Sequence, residues 1–365
     1  MTIASTEQAR PTGAINILGI ESSCDETAAA VVQDGRRVLS STVATQIDLH
    51  ARFGGVVPEV ASRAHIEAIN TVIETALAEA KLSPGDISAV AVTHEPGLIG
   101  SLLVGLMAAK TLAWLWDVPL IGVNHVYAHA YAPALDAEPI EYPAVALICS
   151  GGHTALYRCA GPAELELIGS TLDDAAGEAF DKVANILNLG YPGGPVIDRI
   201  ARGGNPQAVH FPRSLLKGES LDFSFSGIKT AVLYHVQGVP GSKRRSAGHQ
   251  GAGEGKGAAN LAPQEVADIA ASFQAAVVDV LRIKLRRAAK MIGARTLILG
   301  GGVAANSALR AAMTELAHRS HAALRLPEMR FCVDNAAQTA GLAYHLFQSG
   351  CVANLDLDAT ATVRR

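Results

Sequence analysis

Two segments of the chain share one pattern of apolar and polar positions. Residues 15–32 and 144–157 each consist of two largely apolar runs around a polar tip, at 21–27 and 150–154 respectively. Short apolar runs bounded by turn residues are typical of buried strands. The pattern therefore predicts two β-hairpins with polar tips, and their recurrence indicates an internal duplication.

The segments between and after the hairpins alternate between helical and extended patterns. Apolar residues recur at helical spacing most clearly between residues 58 and 80. We predict helices at about 58–80, 102–114, 263–291, 307–319 and 335–347, and strands at 89–93, 118–123, 296–299 and just before residue 335. This alternation predicts an α/β protein.

The composition narrows the class of protein. The chain is 49% hydrophobic but only 5% aromatic, and it is rich in glycine, which fits close packing of helices on sheets. A formal net charge of -4 argues against a generally basic surface, so nucleic-acid binding would need a local patch or a partner. Five cysteines without a close pair favour a reducing compartment.

Three segments bear on location and mobility. Residues 1–14 lack an apolar stretch and indicate a disordered tail, and the residues after 350 carry no signal. The most apolar segment, 102–123, is interrupted by two charged residues and a proline, so we expect no membrane span and a cytoplasmic protein. The Gly-, Ser-, Lys- and Arg-rich composition of residues 238–262 predicts a flexible insertion. This insertion is either a solvated surface loop or a basic arm that contacts phosphates.

A histidine pair follows one of the predicted strands. If a helix begins at Asn124, which suits an N-cap, His125 and His129 lie one turn apart on one face. Two neutral imidazoles at this spacing bind a divalent cation, and Asp334 offers a carboxylate far along the chain. The alternative is a pair of surface histidines. No glutamate stands beside His125, unlike in the zincin proteases.

The hairpin tips carry candidate binding groups. Gly151 and Gly152 allow the main chain to approach a phosphate without a side-chain clash. Asp25 and Glu26, in the other tip, are either positioning groups for a metal or substrate, or ordinary turn residues.

Three residues near other turns are candidates for nucleotide contacts. Asp181 and Asp198 could accept hydrogen bonds from sugar hydroxyls, or be charges on helix surfaces. Asn306 follows a glycine-rich turn between a predicted strand and helix, where it could contact a base or a ribose.

These stretches together resemble the bacterial TsaD family, the tRNA adenosine threonylcarbamoyltransferases, also known as O-sialoglycoprotein endopeptidases. The resemblance covers about residues 15–350 and consists of many motifs in the family's order. They are Gly19 to Thr27, Phe53 to Glu59, His125 to His129, Ser150 to Thr154, Asp173 to Lys182, Tyr191 to Pro195, Leu221 to Gly227, Gly300 to Asn306 and Cys332 to Asn335.

The resemblance implies the actin-like ATPase (sugar kinase/Hsp70) fold, an α/β fold of two duplicated lobes with the ligand in the cleft between them. We expect the first lobe at 15–117 with 335–350, and the second at 118–334. The implied reaction transfers a threonylcarbamoyl group from threonylcarbamoyl-AMP to N6 of adenosine 37, in tRNAs that read codons beginning with A.

The resemblance also implies roles for particular residues. His125, His129 and Asp334 would bind one divalent metal ion, iron by preference or zinc. Asp25 and Glu26 belong to a hairpin that the family needs for activity. The adenine nucleotide, the donor or ATP, would be held by Ser150, Gly151, Gly152, His153, Asp181, Gly194, Asp198 and Asn306, with Cys149 contributing backbone at most.

The implied partners are tRNA, a smaller paralogous subunit that forms a heterodimer, and a small ATPase subunit. Two alternatives stay open: a metalloprotease, suggested by the histidine pair, and a non-catalytic scaffold that binds ATP. The chain departs from the family pattern at His94-Glu95, before the Pro96-Gly97 turn, and in its long insertion at 238–262.

Overall fold

The computed structural model describes residues 13–216, 218–238 and 257–362. Residues 1–12 of the predicted N-terminal tail and residues 239–256 of the predicted insertion therefore lie outside the described residues.

The first lobe is built on a five-stranded sheet in the order β3-β2-β1-β4-β5. Strands β1 to β3 form an antiparallel meander, and β4 and β5 continue the sheet beside β1 in parallel. Its elements are β1 (Asn16–Glu21), β2 (Glu26–Gln33), β3 (Arg37–Thr45), α1 (Ile47–Ala51), α2 (Pro58–Ala80), β4 (Ala89–Glu95), α3 (Ile99–Trp116) and β5 (Leu120–Asn124).

The second lobe repeats this topology. Its sheet has the order β10-β9-β6-β7-β8, with an antiparallel meander β6 to β8 and parallel strands β9 and β10 beside β6. Its strands are β6 (Ala144–Cys149), β7 (Thr154–Cys159), β8 (Leu165–Ser170), β9 (Thr296–Gly300) and β10 (Ala323–Arg325). The identical strand order and direction confirm the predicted duplication.

Five helices complete the second lobe. Four of them separate β8 from β9, and the fifth connects β9 to β10. They are α5 (Ala176–Ile186), α6 (Gly193–Ala201), α7 (Ser226–Gln237), α8 (Pro263–Ile292) and α9 (Ser307–Ser320). The helices predicted at 58–80, 263–291 and 307–319 agree with α2, α8 and α9 within one residue, because long amphipathic patterns define helices well.

Two helices join the lobes at equivalent places. Each of them, α4 (His125–Tyr131) and α10 (Ala336–Gln348), follows the last strand of its lobe. Helix α4 packs against β6 and β9, whereas α10 packs against β1, β2 and α4. One apolar cluster contains Ile17 of β1, Ile148 of β6, Val126 of α4 and Ala340 of α10. The junction of the lobes is therefore a continuous core.

Several local expectations were wrong. The expected lobe boundary at 118 would put β5 in the second lobe, whereas β5 pairs with β4 in the first sheet. Strands β3 and β8 were not predicted, because both are partly exposed and lack a clear apolar alternation. The strand expected just before residue 335 is instead a 3-10 turn at Met329–Phe331.

The segment after Gly350 has a defined place although its sequence carries no signal. It runs along the edge of the first sheet, where Ala353 bridges Leu120 in antiparallel fashion. The Thr360 amide donates to the His94 carbonyl (2.9 Å), and the Gly97 amide donates to the Ala361 carbonyl (3.3 Å). The segment thus covers the exposed edge of β5, which protects the sheet from pairing with other chains.

Gly19 provides a test of the packing at the junction. A Cβ added at Gly19 would lie 2.4 Å from the Ala336 carbonyl oxygen and 2.9 Å from the Ala340 Cβ of α10. We expect Gly19→Ala to lower the free energy of unfolding by about 2 kcal/mol, since overpacking typically costs 1–3 kcal/mol. Thermal or urea unfolding would measure this loss. Gly85→Ala, whose Cβ would approach no atom closer than 4.0 Å, is the control.

Candidate active site and metal centre

A cleft of about 670 Å³ lies between the lobes, at the carboxyl ends of the central strands. Both hairpin tips and the segment before α10 contribute to its wall. Its lining residues include Ser23, Cys24, Asp25, Glu26, His125, Ser150, Gly151, Gly152, His153, Asp181, Tyr191 and Asp334. The structure therefore brings most of the predicted site residues into one cavity of a size that suits a nucleotide-sized ligand.

The histidine pair lies on α4, as predicted. The Asn124 side chain caps this helix and accepts hydrogen bonds from the amides of Val126 (2.9 Å) and Tyr127 (3.2 Å). The two imidazole ring centroids are 4.6 Å apart, and both rings are buried. Buried rings on one short capped helix have little freedom, so their nitrogens are held in a fixed relation.

Asp334 meets both histidines. Its Oδ1 lies 3.1 Å from Nε2 of His129 and 3.6 Å from Nε2 of His125. Asn335 caps α10 by accepting from the Gln338 amide and donates to the Val333 carbonyl, which fixes the backbone on both sides of Asp334. One ligand atom from each of the three residues lies within 4.8 Å of the others. Residues more than 200 positions apart thus form one compact donor set.

Glu21 orients the first histidine, a role that the sequence analysis missed. Its Oε2 lies 3.1 Å from Nδ1 of His125 and accepts a hydrogen bond from the Thr93 hydroxyl (2.6 Å). The Glu21 side chain is fully buried. A carboxylate on the far nitrogen of a ligand histidine fixes its tautomer and turns the other nitrogen towards the metal. The sequence does show Glu21 at the end of an apolar strand. Its position beside Thr93 becomes apparent only from the parallel pairing of β1 with β4.

The charges around His125 favour its cationic form. Burial opposes ionisation, but Asp334 and Glu21 together raise the pKa of His125 to about 9. Burial raises the pKa of Asp334, yet the neighbouring histidines hold it far below its usual range. A metal ion bound by His125 would replace this proton, because a ligand imidazole must be neutral. The site is therefore built to hold positive charge.

The donor set fits a transition metal. Two imidazoles and one carboxylate suit iron and zinc, and they leave coordination positions open for a ligand or water. In the described part of the chain, Nδ1 of His129 is buried without a hydrogen-bond partner. The Nε2 atom of His129, which faces Asp334, is therefore the ring nitrogen placed for a shared ion, and the fit to a metal rests on the chemistry of the three donors.

The tip of the second hairpin faces the cleft with its main chain. The Ser150 amide donates to the His153 carbonyl (2.8 Å), which closes the turn. A Cβ on Gly151 or Gly152 would meet no atom within 4 Å. Packing within the chain therefore does not require glycine at these two positions. The free space beside their α-carbons leaves room for a ligand to approach the backbone.

Asp25 and Glu26 form the opposite wall. Burial, together with the charge of Asp25, raises the pKa of Glu26 to about 8, although the Thr45 hydroxyl donates to Glu26 (2.9 Å) and opposes this shift. Burial and the charge of Asp334 also raise the pKa of Asp25. Glu26 is consequently protonated at neutral pH, so this wall carries less negative charge than its sequence suggests.

The shifted pKa of Glu26 makes a prediction about stability. The unfolded chain releases the Glu26 proton near the ordinary pKa of 4.5, whereas the folded protein keeps it until about pH 8. The contribution of Glu26 to the free energy of unfolding is therefore fully present below pH 4.5. It is lost as the pH rises from 4.5 to about 8. The free energy of unfolding of Glu26→Gln, measured relative to that of wild type, should rise by at least ~1.4 kcal/mol between pH 5 and pH 8. This is the equivalent of one pKa unit.

Parallel thermal unfolding curves of the two proteins at pH 5 and pH 8 would measure this gain. Asp48→Asn, in the exposed first turn of α1, serves as the control. An equal stability difference between wild type and Glu26→Gln at both pH values would contradict the shift.

Comparisons with known proteins agree with this geometry. The family model "TsaD: tRNA N6-adenosine threonylcarbamoyltransferase" matches residues 37–341. The chain belongs to the TsaD family. Proteins of that name from Symbiobacterium thermophilum and Syntrophotalea carbinolica are 53% and 50% identical to it, and each match covers 94% of this chain and 95% of the relative.

The structural comparison identifies the fold. Full-length HypF, in its phosphate- and nucleotide-bound form, aligns with a TM-score of 0.57 and 14% identity over 93% of this chain and 47% of HypF. Together with the duplicated sheets, this identifies the actin-like ATPase fold that the TsaD resemblance implied.

Some residues that the TsaD resemblance placed at the nucleotide have contacts within the protein. Asp181 lines the cleft and accepts from the Gly193 amide (2.7 Å), next to Gly194. Asp198 accepts from the Ser307 hydroxyl (2.8 Å), and Asn306 donates to Gln274 (2.7 Å). Asp198, Asn306 and Gly194 are not among the residues that line the cleft. Cys149 is fully buried, and burial raises the pKa of its thiol, so it offers no nucleophile.

Two acidic residues precede α5 and connect it to α7. Asp173 and Asp174 lie before the helix, which begins at Ala176. Asp173 instead accepts from the hydroxyls of Ser224 (2.6 Å) and Ser226 (2.7 Å). Asp174 pairs with Lys182 and Lys229. These carboxylates tie α5 to α7 and so support the second-lobe wall of the cleft.

Proposed function

We propose that this chain transfers the threonylcarbamoyl group from threonylcarbamoyl-AMP to N6 of adenosine 37, in tRNAs that read codons beginning with A. The observation that carries the proposal is the cleft itself, in which a His-His-Asp donor set stands beside an open glycine tip. Because the chain belongs to the TsaD family, we assign the transfer reaction of that family to this cleft. The protease and scaffold alternatives gain no support from either observation.

The donor is proposed to lie along the second-lobe wall. The amides of Gly151 and Gly152 and the Ser150 hydroxyl suit its phosphate, with His153 beside them, because an open main chain can place N–H groups against an anion. Asp181 and Gly194 are proposed to contact the ribose. Asp198 and Asn306 lie behind this wall, so we propose that they shape it at the start of α9.

His125, His129 and Asp334 are proposed to hold one divalent metal ion, iron or zinc, with Glu21 orienting His125. Such an ion supplies Lewis acidity near the carbamoyl and phosphate oxygens.

Asp25 and Glu26 are proposed to act on the nucleophile. The adenine N6 forms a bond to the carbamoyl carbon while the bond from that carbon to the phosphate oxygen breaks, so that AMP leaves. The amine loses one proton, which Asp25 accepts in its ionised form. Protonated Glu26 donates a hydrogen bond and does not repel the phosphate. No covalent enzyme intermediate is needed, because AMP is already a good leaving group.

The apolar face of α3 is proposed to bind the smaller paralogous subunit. Ile99, Leu103 and Met107 recur every fourth residue and are 49%, 41% and 56% exposed. Among the helices of the described ranges, α3 alone is long and apolar enough to cross a membrane, and its other face packs on β4 and α2. A large exposed apolar stripe is typical of a protein interface.

A small ATPase subunit and tRNA complete the proposed complex, and we propose a cytoplasmic location.

Mass spectrometry of tRNA nucleosides tests the function. The full chain, its partner subunits, threonylcarbamoyl-AMP and unmodified tRNA should yield threonylcarbamoyl-adenosine, and omission of this chain should abolish it. A tRNA with guanosine at position 37 is the matched control. Loss of the product only when the partners are omitted, but not this chain, would overturn the proposal.

A further inference from the structure

The loop at 52–57 belongs to a family motif that has no role in the site described so far. Gly54, Gly55 and Val56 of this loop line the cleft. Phe53 directly precedes them and is 59% exposed. Because neighbouring α-carbons are about 3.8 Å apart, Phe53 stands at the rim of the cleft. A large aromatic side chain is thus presented to solvent at the entrance of the site.

The position of Phe53 is set by its backbone and not by contacts of its ring. The Phe53 amide donates to the His50 carbonyl (2.9 Å), and the Gly54 amide donates to the Ala51 carbonyl (3.2 Å). Gly54 has a φ of +72°, a conformation that glycine adopts without strain. The Val57 amide closes the loop by donating to Nδ1 of His50 (3.3 Å). The loop has a defined shape, although its aromatic ring is exposed.

A buried polar network joins this loop to the first hairpin tip. Nε2 of His50 lies 3.1 Å from Oε1 of Gln46, and Gln46 contacts the ring of His65 (3.4 Å). His65 in turn lies 3.0 Å from the Cys24 carbonyl, next to Asp25. All three side chains of the network are buried. Loop and tip are therefore held as one unit on the first-lobe wall, opposite the glycine tip.

The proposed reaction requires an adenine base in this cleft. Enzymes that modify a base take it out of its stack, and proteins that bind single-stranded RNA support such a base on an aromatic side chain. The cleft lining includes the half-buried Tyr191 on the second-lobe wall, near Asp25. On the first-lobe side, the more exposed aromatic side chain is Phe53, next to the lining residues Gly54, Gly55 and Val56.

We propose that Phe53 binds the substrate tRNA by stacking on the base of adenosine 37 as that base enters the cleft. This inference rests on the proposed transferase function and adds the first-lobe contact for the acceptor. The face of Phe53 holds the base without selecting its identity, because every base offers a π-face. Selection of N6 is left to the groups deeper in the cleft.

The test compares Phe53→Ala with Phe53→Trp in the full chain with its partner subunits. Phe53→Ala should lower kcat/KM for tRNA roughly ten-fold, as loss of one stacked base does. The KM for threonylcarbamoyl-AMP should not change, and Phe53→Trp should keep wild-type values. Tyr234→Ala, which removes an aromatic residue 41% exposed on α7 and outside the cleft lining, should have no effect.

A binding readout separates this inference from the proposed function. Wild type and Phe53→Trp should bind an anticodon stem-loop with adenosine 37 roughly ten-fold more tightly than Phe53→Ala does, whereas all three should bind a stem-loop that lacks the base at position 37 with equal affinity. Unchanged affinity of Phe53→Ala for the first stem-loop, or equal loss of activity in the alanine and tryptophan variants, would overturn the role of Phe53. If wild-type protein makes no modified adenosine but still binds the base through Phe53, the proposed reaction fails while the base contact stands.

Discussion

His125→Ala is expected to abolish binding of the proposed metal ion and to lower the proposed transfer activity at least about 100-fold. Partners of metal ligands already contribute 10–100-fold to metal affinity or activity, and removal of a ligand should cost at least the upper part of that range. His125 is also the residue that connects the donor set to Glu21, 3.1 Å away. Metal analysis of the purified protein and nucleoside mass spectrometry would measure the two losses.

The fold of this variant needs its own check, because His125→Ala leaves the Glu21 carboxylate buried without its cationic neighbour. Asp334→Asn keeps the shape of the side chain and removes the ligand charge, so it should lose metal without that penalty. Circular dichroism would establish that both variants are folded. His318→Ala, on the exposed side of α9, is the matched control. Wild-type activity in a demonstrably metal-free variant would contradict the role of the metal.

The histidine pair could be predicted because its signal is local. Asn124 as cap and two histidines one turn apart define the ligand geometry within six residues. The two hairpins were predictable for a similar reason, since apolar runs around a polar tip specify a hairpin. Asp334 was a candidate from the residues alone, but its link to the histidines came from the family resemblance, because no local pattern relates it to α4. It is the packing of α10 on α4 that brings it within 3.1 Å of His129.

The features that were missed depend on pairing between distant segments. Glu21 is the last residue of a buried strand, and its role depends on the register that sets Ile20 beside Val92 and so brings Thr93 near. The C-terminal segment has no pattern of its own, because an edge strand with one bridge needs none. Sequence reasoning recovers local elements, whereas register and edges come from tertiary structure.

The departure from the family pattern at His94-Glu95 also has a structural explanation. Nδ1 of His94 lies 3.2 Å from the Asp358 carbonyl of the C-terminal segment. Glu95 accepts a hydrogen bond from the Asn124 side chain (3.1 Å), which itself caps α4. The pair therefore supports the strand end and helix start behind the metal centre and does not place a free charge in the cleft.

Gly151→Val is expected to weaken donor binding roughly 100-fold while leaving the protein as stable as wild type. A Cβ at Gly151 would meet no atom of the protein within 4 Å, so the fold has room for the side chain. Substitutions in such open positions usually change stability by less than ~0.5 kcal/mol. The same space is where the proposed phosphate contacts lie. Loss of two hydrogen bonds to a charged group, at about 1.5 kcal/mol each, corresponds to roughly 100-fold weaker binding.

Titration of threonylcarbamoyl-AMP against the variant, together with its thermal unfolding midpoint, would separate the two effects. Gly161→Val is the matched control, because Gly161 lies in the turn between β7 and β8 at the other end of the same sheet, where an added Cβ would make only ordinary contacts with Glu164. Unchanged donor affinity in a folded Gly151→Val protein would mean that the phosphate does not lie at this tip. The proposed metal site would then have to position the donor from the first-lobe side alone. That result would leave the His-His-Asp donor set unchanged, because α4 and the segment before α10 form it.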